Sequence, residues 1–282
     1  MVKRALLPTV IFVLGACSSG EITPGQETDL AVTSSDAGAL GDASASPNAD
    51  LSIPSSASCK YTANKTGLSV FQQAGGLAFH VYAPSSYNPS VAHTVIVLMH
   101  GQDSDGTGEL SALWQAIADS EQLVLLAPKG SLAATNPTTY PNGANWSVND
   151  LNNIQDLVTD LDACYNTNKK KHILWGFSEG CFYGYLLGIG ASNQFSGLAM
   201  GGANTSFARQ NGYAPANEQW KIPVSHVQGS TDQNGVAQSI QDKADFMAAG
   251  SVFTLYQPNQ GHTITAAQVL QQYNDLKSST SP

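Results

Sequence analysis

The chain is short of positive charge. Its 282 residues carry 12 Lys and Arg against 21 Asp and Glu, a formal charge of −9. Between residues 18 and 58 there is no Lys, no Arg and no aromatic side chain. Without a basic patch to meet phosphates, the composition argues against nucleic acid as a partner. No apolar run beyond the first few residues is long enough to cross a bilayer. No His and acidic residues cluster at metal-ligand spacing, and no Gly-rich phosphate loop is present, so no metal or cofactor is expected. Cysteine is scarce, with four in all.

What is present divides the chain in three. Residues 1–17 read as a secretory signal, with Lys3 and Arg4 at its basic end and an apolar core over 5–14 too short to span a membrane. The stretch "LGAC", ending at Cys17, resembles the lipobox of bacterial lipoproteins, although Gly15 is a less usual residue there. That resemblance implies a lipidated Cys17 as mature N-terminus and attachment to a membrane of the cell envelope. The alternative is a plain signal peptide ending near Ala16, and secretion. Residues 18–58 are Ser, Ala, Gly, Thr and Pro with six acids, Glu21, Glu27, Asp29, Asp36, Asp42 and Asp50. Such a segment buries too little apolar surface to offset its ordering entropy and is expected to be a disordered tether. Residues 59–282 hold a charge of −5 and are enough for one domain with a sizeable core. Nothing in the pattern sets an oligomeric state. Three cysteines fall in the domain: Cys59, Cys164 and Cys181. An exported protein favours one disulfide with one thiol left over. Cys59–Cys164 is the favoured pair, because Cys181 falls just after a serine turn where buried thiols are common.

From Cys59 onward, apolar strands alternate with amphipathic helices. Segments 67–73 and 77–83 read as a hairpin about Gly75-Gly76. "TVIVLM" (94–99), "LVLLAP" and "HILWGF" are uninterrupted apolar strands of the kind buried on both faces. Between them, Leu110, Leu113, Trp114 and Ile117 share one helix face, and Leu151, Ile154, Leu157, Val158 and Leu161 share another. After a helix over 179–189 come strands in "GLAMGG", "PVSHVQG" and "VFTLYQP", with helices near 237–249 and 264–277. This order means an α/β fold with a mainly parallel central sheet flanked by helices. Ligands in such sheets sit at the carboxyl ends of the strands.

The pentapeptide Gly176-Phe177-Ser178-Glu179-Gly180 lies where the strand "HILWGF" runs into a helix. In a chain with 26 glycines the pattern alone says little, but the strand–turn–helix context is the one a nucleophile needs. A serine hydroxyl is a weak nucleophile without a base. Of six histidines, His80, His172 and His226 fall in or at the start of strands, His93 precedes one, and His100 belongs to a backbone motif. His262, after the last strand, is on the same sheet edge as Ser178. Asp232, after "PVSHVQG", is on that edge too and can hold the imidazole tautomer. Asp245 falls within a helix; Asp150, Asp156 and Asp160 precede the serine, and the last two read as solvated or capping positions. Backbone N–H groups of Glu179 and of Gln102, in "MHGQDSDG", suit an oxyanion hole. The loop over 128–148 is the candidate pocket wall, with Tyr140 and Trp146 as an aromatic surface for substrate; Trp146 serves equally well as packing beneath that loop. The segment between the strands near 196–201 and 223–228 is too short for a large lid.

Over essentially all of 59–282 the chain resembles the α/β-hydrolase superfamily. Within it, "LMHGQDSDG", "NWSVNDLNNIQDLVTDL", "ILWGFSEGCFYGYLL" and "IPVSHVQGSTD…QGHT" are most similar to secreted esterases of the polyhydroxybutyrate depolymerase and feruloyl esterase type. The resemblance implies a serine carboxylesterase acting on a small-molecule or polymeric ester without a cofactor. Ser178 would be its nucleophile, His262 the base, Asp232 its partner, and Gln102 and Glu179 the oxyanion amides. The acid at 179 departs from the family pattern and disfavours anionic substrates near the serine. Three alternatives stay open: a serine peptidase, an acyltransferase, or a binding lipoprotein that kept the fold without turnover.

A tether of about forty residues has a root-mean-square reach of about 30–40 Å, enough to hold the domain clear of a surface. Cys17→Ser should therefore leave an active protein that is poorly processed or soluble. Mass spectrometry of the mature N-terminus with detergent partitioning checks this. An N-terminus away from Cys17, with all activity in the aqueous phase, makes the protein plainly secreted.

Overall fold

Because "TVIVLM" offers no polar face, the strand that contains it must lie inside a sheet covered on both sides. The structure, a computed structural model, describes residues 59–282 apart from 74–75 and 234. Residues 1–17 with Cys17, the tether over 18–58 and part of the Gly75-Gly76 turn lie outside the described residues.

The strands are β1 (Gly67–Gln72), β2 (Ala78–Ala83), β3 (His93–Met99), β4 (Val124–Pro128), β5 (Leu132–Ala133), β6 (Ala144–Asn145), β7 (Thr167–Phe177), β8 (Gly197–Gly201), β9 (Val224–Val227) and β10 (Phe253–Tyr256). An eight-stranded sheet has the order β1-β2-β4-β3-β7-β8-β9-β10, and β5 and β6 form a separate two-stranded ribbon. From β4 through β10 all neighbours in the large sheet are parallel, and β2 joins β4 antiparallel. The order reverses between β3 and β7. The carboxyl ends of those two strands therefore flank the crevice where such sheets place their ligands.

The helices are α1 (Thr107–Glu109), α2 (Gln115–Glu121), α3 (Asp150–Cys164), α4 (Glu179–Gly190), α5 (Ser206–Gln210), α6 (Val236–Ala248) and α7 (Ala266–Leu276). Alternate residues of β3 point to opposite faces. Val95, Val97 and Met99 pack into a core with Ile154, Leu157 and Leu161 of α3 and Tyr185 and Leu186 of α4. Ile96 and Leu98 pack into a second core with Trp114, Ile117, and Val269 and Tyr273 of α7. Each such fully buried Leu or Ile contributes about 1.5–3 kcal/mol. The mainly parallel sheet with helices on both faces is the α/β architecture read from the sequence.

The helix expected from the shared face of Leu110, Leu113, Trp114 and Ile117 is interrupted by a π segment, Leu110–Trp114, which joins α1 to α2. Trp114 is wholly buried there, edge-on to Trp175 with ring centroids 6.2 Å apart. The small elements β5, β6 and α5 carry no long periodic run and are not legible in the pattern. The segment between β8 and β9 holds only α5 and a short 3-10 turn, Pro215–Asn217, and no large lid. Among the described residues no helix is long and apolar enough to cross a membrane.

Cys59 and Cys164 form a disulfide across a separation of 105 residues, and Cys181 is a buried free thiol. The bridge fastens the start of the domain to the end of α3. Tyr61 adds aromatic contacts to Phe71 and Phe79, and the Asn64 N–H donates to the Cys164 carbonyl. Asp160, read as a solvated or capping residue, is instead 6% exposed and ion-paired with Lys60 at 2.8 Å. The reason is the bridge itself, which brings residue 60 back to α3. A closed loop of this size removes about 5 kcal/mol of denatured-state entropy. Cys59→Ser with Cys164→Ser should lower unfolding stability by about 2–4 kcal/mol in denaturant titration while ester turnover of the folded fraction is unchanged.

Candidate active site

Small residues decide the turn after β7. A Cβ at Gly180 would stand 2.0 Å from the Met99 carbonyl oxygen, and one at Gly176 would stand 2.3 Å from the Gly180 oxygen. Only glycine lets α4 begin this close to β3 and β7. Ser178 is driven to φ 56° and ψ −122°, a left-handed backbone rarely adopted by a residue with a side chain. Its N–H donates to the Gly201 carbonyl at 3.0 Å and its carbonyl accepts from the Cys181 N–H at 3.0 Å, which fixes the turn from both sides. Ser178 is half-buried at the N-terminus of α4. Glu179 is the first residue of α4, where backbone N–H groups have no intrahelical acceptor and the helix dipole favours negative charge.

Two loops bring the other groups to Ser178. His262 Nε2 lies 2.8 Å from Ser178 Oγ, and His262 Nδ1 lies 2.8 Å from Asp232 Oδ2. A neutral ring donates its Nδ1 proton to the carboxylate, so Nε2 is left to accept from the serine hydroxyl. Asp232 is 4% exposed, while a third of the His262 side chain is open. The two loops are tightly matched: a Cβ at Gly229 would fall 2.2 Å from the Gly261 oxygen. Thr265 and Gln268 form a capping box that starts α7 three residues after His262 and sets the exit of that loop. Asp245 pairs with Arg209 instead.

The oxyanion-loop candidate follows β3. A Cβ at Gly101 would lie 3.6 Å from the Ser178 Cβ, so this loop runs directly beside Ser178. Gln102 comes next, and its side-chain amide donates to Thr135 Oγ1 at 3.1 Å. Two carboxylates hold the loop. Glu109 accepts from the Gly101 N–H and the Ser104 hydroxyl. Asp103, at φ 60°, accepts from the Thr135 N–H and the Asn145 side chain. A third, Asp150, is 1% exposed and accepts from the N–H groups of Ser131 and Ser147, closing both ends of the 128–148 wall. Sequence reasoning gave no role to Glu109 and Asp103, and set Asp150 aside. No local pattern marks them, because most of their partner N–H groups are distant in sequence.

Trp146 is not a substrate-facing surface. It is 1% exposed, stacks on His100 at 4.4 Å and donates its indole N–H to the His100 carbonyl. The indole needs a buried acceptor, and the strand end of β3 supplies one, so the ring packs beneath the wall rather than lining it. Tyr140 stays 40% exposed on the same wall, near Gly143 and the Asp103 carbonyl. Of the other histidines, His100 takes the Gly130 N–H on Nε2 and donates from Nδ1 to the Gly101 carbonyl. His172 contacts the partly buried Asp162, and His226 contacts Tyr185 in a fully buried pair.

Residues 75–265 match the family described as "Putative esterase". The bifunctional acetylxylan esterase/xylanase XynS20E of Neocallimastix patriciarum is 26% identical over 165 residues, covering 57% of this chain and 22% of that protein. This chain therefore spans about a fifth of that relative's length. Among solved structures, the Bacillus cereus carboxylesterase superposes with a TM-score of 0.56 at 16% identity, over 72% of this chain and 94% of that one. A CE1 ferulic acid esterase from Anaeromyces mucronatus does so with a TM-score of 0.55 at 15% identity, over 76% and 90%. At these identities the two structures show the fold.

Glu179 carries the strongest electrostatic signature beside Ser178. Its Oε2 is buried without a hydrogen-bond partner among the described residues. Burial pushes its pKa up to about 7, the nearby Asp103 charge adds to the shift, and a hydrogen bond from the Trp146 backbone opposes it. The group is thus more acidic unfolded than folded. The stability it allows is fully present below about pH 4.5 and is lost as the pH rises through about 7. Glu179→Gln should flatten that decline: its Tm should fall less than the unsubstituted protein's between about pH 5 and pH 8, read by calorimetry. Equal slopes would mean that the carboxyl is solvated.

Proposed function

Because this chain belongs to the esterase family, we propose that it is a serine carboxylesterase working through an acyl-enzyme, with Ser178, His262 and Asp232 as its catalytic residues. The observation that carries this reading is the unbroken line from Ser178 Oγ through the His262 ring to Asp232, with both links at 2.8 Å. His262 takes the hydroxyl proton as Ser178 Oγ attacks the ester carbonyl. Asp232 holds the ring and stabilises the imidazolium that forms. The oxyanion develops against the N–H groups of Glu179 and Gln102, at the positive end of α4; each such donor is worth about 3 kcal/mol. His262 then gives its proton to the departing alcohol, and water attacking by the reverse route releases the acid.

The substrate follows from the surroundings of Ser178. A carboxyl at 179 repels an anionic acyl group once it ionises. The wall instead offers the partly exposed apolar side chains of Leu132, Tyr140 and Val148. Uncharged acyl groups fit best: acetyl and feruloyl esters, as in the names of the related proteins, and short hydroxyalkanoate esters. We read the N-terminal 58 residues as a lipid anchor at Cys17 and a tether, which would put this activity at the cell surface, on polymers that cannot enter.

A fluorophosphonate probe should label Ser178, and Ser178→Ala and His262→Ala should each lower p-nitrophenyl acetate turnover by about 10⁴-fold or more with folding intact. The double variant should be little worse than either single one, since the residues act as a unit. Asp232→Asn should lose less. Full additivity, or an inert Asp232→Asn beside a crippled Asp245→Asn, overturns the assignment. Turnover of a peptide substrate in place of all esters overturns the reaction class.

A further inference from the structure

Behind the acid lies a line of buried polar groups that acyl transfer does not itself use. Gln228 follows β9 and is fully buried. Its Nε2 donates to Asp232 Oδ2 at 3.0 Å, the same oxygen that accepts from His262 Nδ1. A carboxylate can only accept, so the amide nitrogen must face Asp232 and the amide oxygen must face away. There it meets His226 Nε2 through a long contact of 3.5 Å. That nitrogen must then carry the proton, which leaves His226 Nδ1 to accept the Tyr185 hydroxyl at 2.7 Å. Every donor in the line points toward Asp232. His226 and Tyr185 are both fully buried. At Gly235 a Cβ would come within 2.9 Å of the Gln228 amide, so only glycine there leaves the amide its place.

We propose that Gln228 is a positioning residue for the catalytic acid, held in one orientation by His226 and Tyr185 and in turn holding the Asp232 carboxylate square to the His262 ring. The proposal deepens the serine esterase reading and rests on it. Its argument is directional. Apolar residues would fill this space without desolvation cost, whereas an amide, an imidazole and a phenol here stabilise the fold only if each hydrogen bond is made. The line is ordered so that its last donor meets the one carboxylate oxygen that orients the base. The sense of the line persists through neutral pH, because burial lowers the His226 pKa to about 4, with the contact to Gln228 and the Asp242 charge opposing. The titratable or charged groups about it are Asp232 from the segment after β9, His262 from the segment before α7, Tyr185 and Cys181 from α4, and Asp242 from α6.

The test uses the full chain carrying Gln228→Met, Gln228→Glu or Tyr185→Phe, with two readouts. One is the ionisation of His262 followed by NMR, which needs no turnover. The other is kcat and KM on p-nitrophenyl acetate as a function of pH. In Gln228→Met the carboxylate loses a competing donor and attracts the imidazolium more strongly. The His262 ionisation and the acidic limb of the profile should move to higher pH, and kcat should fall at least about tenfold with KM little changed. Gln228→Glu keeps a donor only while protonated, so its rate should approach the parent at low pH and drop as the new carboxyl ionises. Tyr185→Phe removes only the far end and should shift His262 the same way by less, which serves if the Met variant does not fold. An unmoved His262 ionisation in the folded variants overturns the proposal, as does an equal loss in the Met and Glu variants at every pH, the mark of packing alone. If the unsubstituted chain neither hydrolyses the ester nor labels at Ser178, the esterase reading fails, and the NMR titration still decides what Gln228 does to His262.

Discussion

The close approach of α4 to the ends of β3 and β7 governs the site. With 2.0 Å between the Gly180 Cβ direction and the Met99 carbonyl, the helix cannot start there behind any other residue. That contact bends the chain through Ser178 in a left-handed conformation, which costs about 1–3 kcal/mol in a residue with a side chain. The surrounding bonds, from Gly201 behind and Cys181 ahead, offset it. The same contact sets where α4 begins, at Glu179 directly after Ser178. The bend at Ser178 and the start of the helix are therefore products of one packing contact.

Carboxylates then fix what the packing leaves free. The domain is acidic without being built on ion pairs. Glu109, Asp103 and Asp150 take backbone N–H groups of the two loops that frame Ser178, and Asp232 takes the His262 ring. Acceptor-only side chains suit this task, because loops expose N–H groups that no strand or helix satisfies. The excess of acids in the composition is in part this scaffolding, which a charge total alone would assign to solubility or repulsion.

Periodicity and apolar runs made most of the fold legible. A run such as "TVIVLM" has no solvent-facing option, and the Leu and Ile spacing of 151–161 has one helical face. Ser178, Asp232 and His262 were legible because each follows a strand, and in a parallel sheet those ends converge. What the sequence hid is contact between distant loops. Trp146 looks the same on paper whether it lines a pocket or caps His100, and only the carbonyl waiting at the end of β3 decides. Asp160 looks solvated until the disulfide returns Lys60 to it. Gln228, four residues before Asp232 in a strand-to-loop passage, has no pattern that marks it.

The odd thiol has a consequence for how the molecule is made. Cys181 sits three residues past Ser178, wholly buried, with burial raising its pKa far above the usual thiol range. Three cysteines in the domain permit three pairings. Either wrong one would draw Cys181 out of its buried place in α4, which packs against β3 and β7 through Gly176 and Gly180. A mispaired chain is thus penalised at the turn through Ser178, whereas an unbridged one is not.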